Sequence, residues 1–201
     1  MMAAPRLAAG SLGALCLAVM AAAVADEPPA AVESCAYCHG YDGNVTSLRF
    51  PRLAGQPAAY LARQLRDYRD GRRQGNGEME PAAQDLSERG IDAVAAYFAS
   101  QPVQAPARGA RTDNALGEQL YLRGKHGMVA CIACHVPQGR AVPFDYPRLL
   151  GQNRGYVRRQ LQAYRSGARN NDELAVMRDI ARRLSDAEIA ALSDYAAQAG
   201  P

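Results

Sequence analysis

The sequence predicts an all-α protein built from two tandem copies of one small unit. Three observations carry this reading. The chain repeats itself at an offset of 96 residues, its apolar residues recur at helical spacing, and no stretch alternates as a half-buried strand would. Pro51-Arg52-Leu53-Ala54-Gly55-Gln56 matches Pro147-Arg148-Leu149-Leu150-Gly151-Gln152. Tyr60, Gln64, Leu65, Tyr68 and Gly71 match Tyr156, Gln160, Leu161, Tyr164 and Gly167. Two residues are then gained, and Met79, Leu86, Ser87, Ile91 and Tyr97 match Met177, Leu184, Ser185, Ile189 and Tyr195 at an offset of 98.

The first 25 residues read as a secretory signal. Arg6 supplies the positive charge, residues 10–24 are apolar, and Ala23-Val24-Ala25 is a small-x-small cleavage site before Asp26. That apolar run is shorter than the ~20 residues that span a bilayer. Cys16 does not look like a lipid-attachment site, because Leu15 precedes it and more apolar sequence follows. Cleavage leaves 176 residues, read as a first domain over 26–103, a linker over 104–112 marked by Pro106 and Gly109, and a second domain over 113–201. Each unit is small, so its apolar core is limited. The mature chain carries 22 basic and 20 acidic residues, a balance that gives no footprint for nucleic acid.

Each half opens on the same short motif, Cys35-Ala36-Tyr37-Cys38-His39 and Cys131-Ile132-Ala133-Cys134-His135. C-x-x-C-H is the attachment signature of c-type haem: two thiols one turn apart bond the vinyl groups of one porphyrin, and the histidine lies under the iron. Two copies predict two covalently bound haem c groups, held by Cys35, Cys38, Cys131 and Cys134 with His39 and His135 on the irons. A zinc site is the main alternative and a redox dithiol a weaker one. Of five cysteines, Cys16 leaves with the signal and four serve the motifs, so no thiol is spare for a disulfide. An exported chain is where such attachment is expected. Bound propionates would bring its charge to neutral or slightly negative.

After each motif the pattern is helical. Pro57 can open a helix at its first position, Tyr60, Leu61, Leu65 and Tyr68 form its apolar stripe, and Gly71 ends it. Ser87 and Ser185 are N-caps for a closing helix in each half, and Ser185 with Glu188 makes a capping box.

The second axial position is found by elimination. Of three histidines two are in the motifs, and His126 cannot serve two irons. Met1, Met2 and Met20 leave with the signal, and Met128 is too near Cys131 to reach the far face of that haem. Met79 and Met177 remain, one per half, 40 and 42 residues after the motif histidines. Methionine opposite histidine is the pairing of electron-carrier haem and favours a relatively high potential.

The C-x-x-C-H-G at Cys35 to Gly40, the two Pro-Arg-Leu-x-Gly-Gln segments, the run from Arg165 to Asp172 and the run from Met177 to Ser185 together resemble the dihaem cytochrome c4 family over the whole mature chain. The resemblance implies two class I cytochrome c domains related by a pseudo-twofold axis, each wrapped around one haem, with propionates facing across the interface. It implies a periplasmic carrier. It also implies that Pro51 and Pro147, each twelve residues past a motif histidine, offer a carbonyl to that ring. Arg52 and Arg148 are candidate propionate partners by their repeat position. The other arginines, including Arg73 and Arg169, read as a solvated helix face.

One departure stands out. Only nine residues separate the cleavage site from Cys35, whereas residues 113–130 leave room for an extra helix carrying Gly117 and Tyr121 in the second half. Tyr97 and Phe98 are therefore expected to lack a packing partner, leaving the first haem more exposed and Met79 the weaker bond. The short leader also resembles the haem subunits of flavocytochrome c sulfide dehydrogenases. The functional expectation is a carrier, free or loosely membrane-associated, moving single electrons from a quinol-oxidising complex to a terminal oxidase. The alternatives are a haem subunit of a flavocytochrome or other periplasmic dehydrogenase, and less favourably a dihaem peroxidase, which needs an iron that can open.

Overall fold

A computed structural model describes residues 29–75, 77–105, 113–136 and 146–198. The expected signal with Cys16, and Pro106 and Gly109 of the linker, lie outside them. Among the described residues, eight α-helices and two 3-10 turns account for the regular structure, and the only β pairing is an isolated bridge between Lys125 and Met128. The fold is all-α.

In the first half, α1 (Val32–His39) carries the whole first motif. α2 (Ala58–Arg69) follows Pro57, which stands one position ahead of the helix rather than inside it. α3 (Met79–Gln84) begins on the methionine. α4 (Glu88–Ser100) is capped by Ser87, whose Oγ accepts from the Gly90 N–H at 3.1 Å. α4 buries Ile91, Val94, Ala95 and Phe98, an i, i+3, i+4, i+7 stripe that meets Leu61 and Ala62 of α2 and Val32 of α1.

In the second half, α5 (Ala115–Arg123) is capped by Asn114 and packs on α8 (Asp186–Gln198). The second motif begins in a 3-10 turn, Cys131–Ala133, with Cys134 and His135 just past it, rather than lying in an α-helix. α6 (Arg154–Ser166) and α7 (Val176–Arg182) match α2 and α3. α8 repeats the buried stripe at Ile189, Leu192, Ser193 and Ala196. Its capping box forms in full: Ser185 Oγ accepts from the Glu188 N–H at 3.2 Å, and Glu188 Oε2 accepts from the Ser185 N–H at 2.8 Å. His126 is exposed, and Met128 is core beside Leu120 and Tyr121.

The expectation that Tyr97 and Phe98 lack partners is corrected. Phe98 is 1 % exposed in the first core, and its ring lies 5.3 Å from Tyr97. In the second half the matching residue is Ala196, and Tyr121 of α5 supplies the ring that faces Tyr195, at 5.4 Å. A larger side chain on α4 thus does locally what an added helix does in the second half.

The halves meet through a reciprocal contact. Gln56 Nε2 donates to the Arg148 carbonyl at 3.0 Å while Gln56 Oε1 accepts from the Arg148 N–H at 2.9 Å. Gln152 does the same to Arg52, at 2.9 and 2.8 Å. Beside it the chain approach is very close. A Cβ on Gly155 of α6 would stand 2.1 Å from the Leu48 carbonyl oxygen, so only glycine fits.

Candidate haem-binding site

One continuous cavity runs through both halves. Cys35, Cys38, His39 and Met79 line it on one side of the pseudo-twofold, and Cys131, Cys134, His135 and Met177 on the other. The structure therefore brings all eight predicted residues to one interior space, in two sets of four.

His39 and His135 are both buried. His39 Nδ1 lies 2.9 Å from the Pro51 carbonyl oxygen, and His135 Nδ1 lies 2.7 Å from that of Pro147. A carbonyl can only accept, so Nδ1 carries the proton and Nε2 keeps its lone pair. Burial pulls both imidazole pKa values down, the proline carbonyls oppose it, and the net shift is downward, so the rings are neutral and fit to bind a metal. The two histidines are equally buried, so the short leader does not uncover the first one.

None of the four motif cysteines is joined to another in a disulfide. Burial raises the Cys35 thiol above its ordinary value and pushes Cys131 to about 11. A redox dithiol needs the opposite shift, toward thiolate. Among the described residues no group of three or more His, Cys, Asp or Glu side chains could hold a metal ion by itself, so the zinc alternative finds no ligand set. Two thiols, a neutral imidazole and a thioether on each side of an apolar-walled cavity fit a haem.

The arginines divide in a way sequence reasoning did not anticipate. Arg66, Arg69, Arg154 and Arg165 pair with carboxylates on the surface, as a solvated face would. Arg73 and Arg169 are instead buried where the halves meet. Arg52 is committed to protein oxygens, donating to Asn44 Oδ1 at 2.8 Å, Gln104 O at 2.6 Å and Gly151 O at 3.1 Å. Arg148 keeps a buried Nη2 without a partner. Propionate pairing thus finds a freer donor in Arg148 than in Arg52.

Comparison with known proteins agrees with this geometry. Residues 29–98 match the family described as cytochrome C oxidase, cbb3-type, subunit III, and residues 115–199 match cytochrome c. Cytochrome c4 of Azotobacter vinelandii is 42 % identical, over 86 % of this chain and 87 % of its own. A thiosulfate dehydrogenase electron acceptor of Stutzerimonas stutzeri is also 42 % identical, over 86 % of this chain and 81 % of its own. The crystal structure of reduced recombinant cytochrome c4 from Pseudomonas stutzeri superposes with a TM-score of 0.73 at 37 % identity, covering 86 % of this chain and 98 % of that one. The two C-x-x-C-H units imply two covalent haem c groups, and with them electron carriage rather than catalysis. The chain belongs to the dihaem cytochrome c4 family.

Proposed function

We propose that the chain is an exported periplasmic carrier in which His39 and Met79 hold one iron and His135 and Met177 the other, with Cys35 and Cys38, and Cys131 and Cys134, as the attachment points. The observation that carries this reading is one methionine per half on the wall of the cavity that each motif histidine enters. A haem supplies a one-electron couple when bound. The chain's own residues do the rest. The proline carbonyls fix the imidazoles, Met79 and Met177 would supply the second protein ligand to each iron, and the apolar cavity walls would limit water access. With a histidine and a methionine on each iron, no coordination site would be left for a substrate.

The proposed route runs from a quinol-oxidising complex to a terminal oxidase. A second reading, electron acceptor of a periplasmic dehydrogenase, is favoured by the name of the Stutzerimonas relative. Among the described residues no helix is long and apolar enough to cross a membrane. Carbon monoxide tests the ligation: the reduced spectrum of the purified protein stays unchanged under the gas, and rapid binding at either haem would overturn the assignment. Stopped-flow mixing with a solubilised quinol-oxidising complex and with a thiosulfate-oxidising dehydrogenase separates the two routes. The faster donor is the partner class. Intact mass of the exported protein checks processing, with Asp26 as the expected first residue.

A further inference from the structure

Arg73 and Arg169 are equivalent at the 96-residue offset and are only 3 % and 5 % exposed. Arg73 donates from Nη1 to Gln64 Oε1 at 2.7 Å, and from Nη2 to Gln160 Oε1 at 3.0 Å and the Tyr156 hydroxyl at 3.1 Å. Arg169 donates from Nη1 to Gln160 Oε1 at 2.6 Å, from Nη2 to Gln64 Oε1 at 2.9 Å, and from Nε to Asn171 Oδ1 at 3.0 Å. Each cation therefore binds a glutamine of its own half and the glutamine of the other. Each also lies 4.5 Å over a tyrosine ring of its own half, Tyr68 or Tyr164.

Two buried like charges sharing two neutral amide oxygens are uncompensated. Among the described residues no carboxylate forms an ion pair with either. Asp67, which joins the network, is taken by Arg72 Nε at 2.9 Å and Asn171 Nδ2 at 2.7 Å. Arg73 Nε is buried and has no partner. Arg73, Arg169, Gln64, Gln160 and Tyr156 all line the cavity that both motifs enter. Burial alone would raise the Tyr156 hydroxyl, yet Arg73 and Arg169 outweigh it and bring its pKa below the ordinary tyrosine value. The interior here is strongly positive and turned toward the cavity.

We infer that Arg73 and Arg169 form one shared anion site for the carboxylates of both haems, and that they set the two midpoint potentials jointly. The cross-bridging gives the joint action: neither charge belongs to one half alone. A cation beside a haem disfavours the ferric form, which carries one more positive charge, so removing it lowers the potential. The inference rests on both haems being seated in the cavity, as the family requires.

The test uses the holoprotein with Arg73→Gln, Arg169→Gln, Arg73→Lys and Gln64→Glu. Haem content and the ferric sulfur-to-iron charge-transfer band are recorded for each before spectroelectrochemistry. Either glutamine substitution is expected to lower both potentials by at least a tenfold shift of each redox equilibrium, which is 59 mV for a one-electron couple. Arg73→Lys keeps most of the wild-type values. Gln64→Glu sets a carboxylate against both guanidiniums and lowers both potentials with the arginines in place, which keeps the idea testable where an arginine variant fails to fold. Potentials that move in one haem only, or in neither, with haem content and band intact, overturn the shared site. Absence of the band from the unsubstituted protein would instead overturn the ligation assigned above.

Discussion

Met79 and Met177 stand at equivalent places, but the segments that present them are fastened differently. In the second half Arg178, next to Met177, donates from Nε to Asp172 Oδ1 at 2.7 Å, and its backbone N–H reaches Asp172 Oδ2 at 3.0 Å. The Asp172 side chain is 4 % exposed, so this is a buried brace with both carboxylate oxygens satisfied. In the first half Glu80 follows Met79. Its Oε1 accepts from the Gly75 N–H at 2.6 Å, and its Oε2 is buried without a partner. The brace has a conformational cost. Leu174 and Ala175 are held at φ of 52° and 57°, where L side chains are strained, while Gly77 takes φ 78° in the first half at the position matching Ala175. The second segment is strained and clamped, and the first is relaxed and half-satisfied.

The largest expected effect of this difference is in ligand loss. Mild denaturant or heat should displace Met79 before Met177, seen as stepwise loss of the sulfur-to-iron band. Met79→Ala should abolish the early step, and Met177→Ala should leave it. Loss in a single step, or earlier loss in the second half, breaks the comparison. The next effect tests the brace itself. Arg178→Ala leaves Asp172 held only by the Arg178 backbone N–H and should weaken the second half by about 2 kcal/mol, the scale of a hydrogen bond to a charged group. The Met177 step should then fall to or below that of Met79 in a denaturant titration, and an unmoved step would remove the brace from the explanation.

A smaller effect distinguishes the closing helices. Glu188 is held below the usual carboxylate range by Lys125, at 2.8 Å, and by the Ser185 N–H. Its folded pKa is depressed, so its contribution is present above the unfolded carboxylate value near ~4.3 and is lost as pH falls through the folded value. Glu188→Gln should cost about 1 kcal/mol at neutral pH, and the gap should close in acid, measured as urea midpoints across pH. A gap that persists in acid would assign the loss to packing instead. Ser87 has no reciprocal bond of this kind, because Gly90 stands where Glu188 does. The smallest effect sharpens the strain argument. Ala175→Gly should leave stability unchanged or raise it by up to ~1 kcal/mol in thermal unfolding, and a clear loss would show the position is not strained.

What was legible in the sequence was whatever is local or periodic. The haem motifs, the apolar stripe of α2, the serine caps and the paired methionines need only a few neighbouring residues, and the duplication made most of them visible twice. Arg73 was not legible, because in sequence it reads with its neighbouring arginines as part of a solvated helix face. α2 stops at Arg69, and Arg72 takes Asp67 while Arg73 turns inward to Gln64. Gln56 and Gln152 were visible as repeated residues, but their partners are backbone groups 92 and 100 residues away. Phe98 was read as a residue missing a helix, when its own bulk, against Ala196, fills the space.

The glutamine clamps give the two halves the relation of paired subunits. A contact in which each half offers the same residue to the same backbone of the other is the kind made by two identical subunits about a dyad. Within one polypeptide it makes the two halves clamp each other as a pair of subunits would, each through the same residue. Halves that share one polypeptide need not be identical. Asp67 now faces Asn171 across the interface, where the symmetric positions are Ala163 and Gly75. A homodimer could not have acquired that contact singly, since each mutation would have appeared on both sides at once.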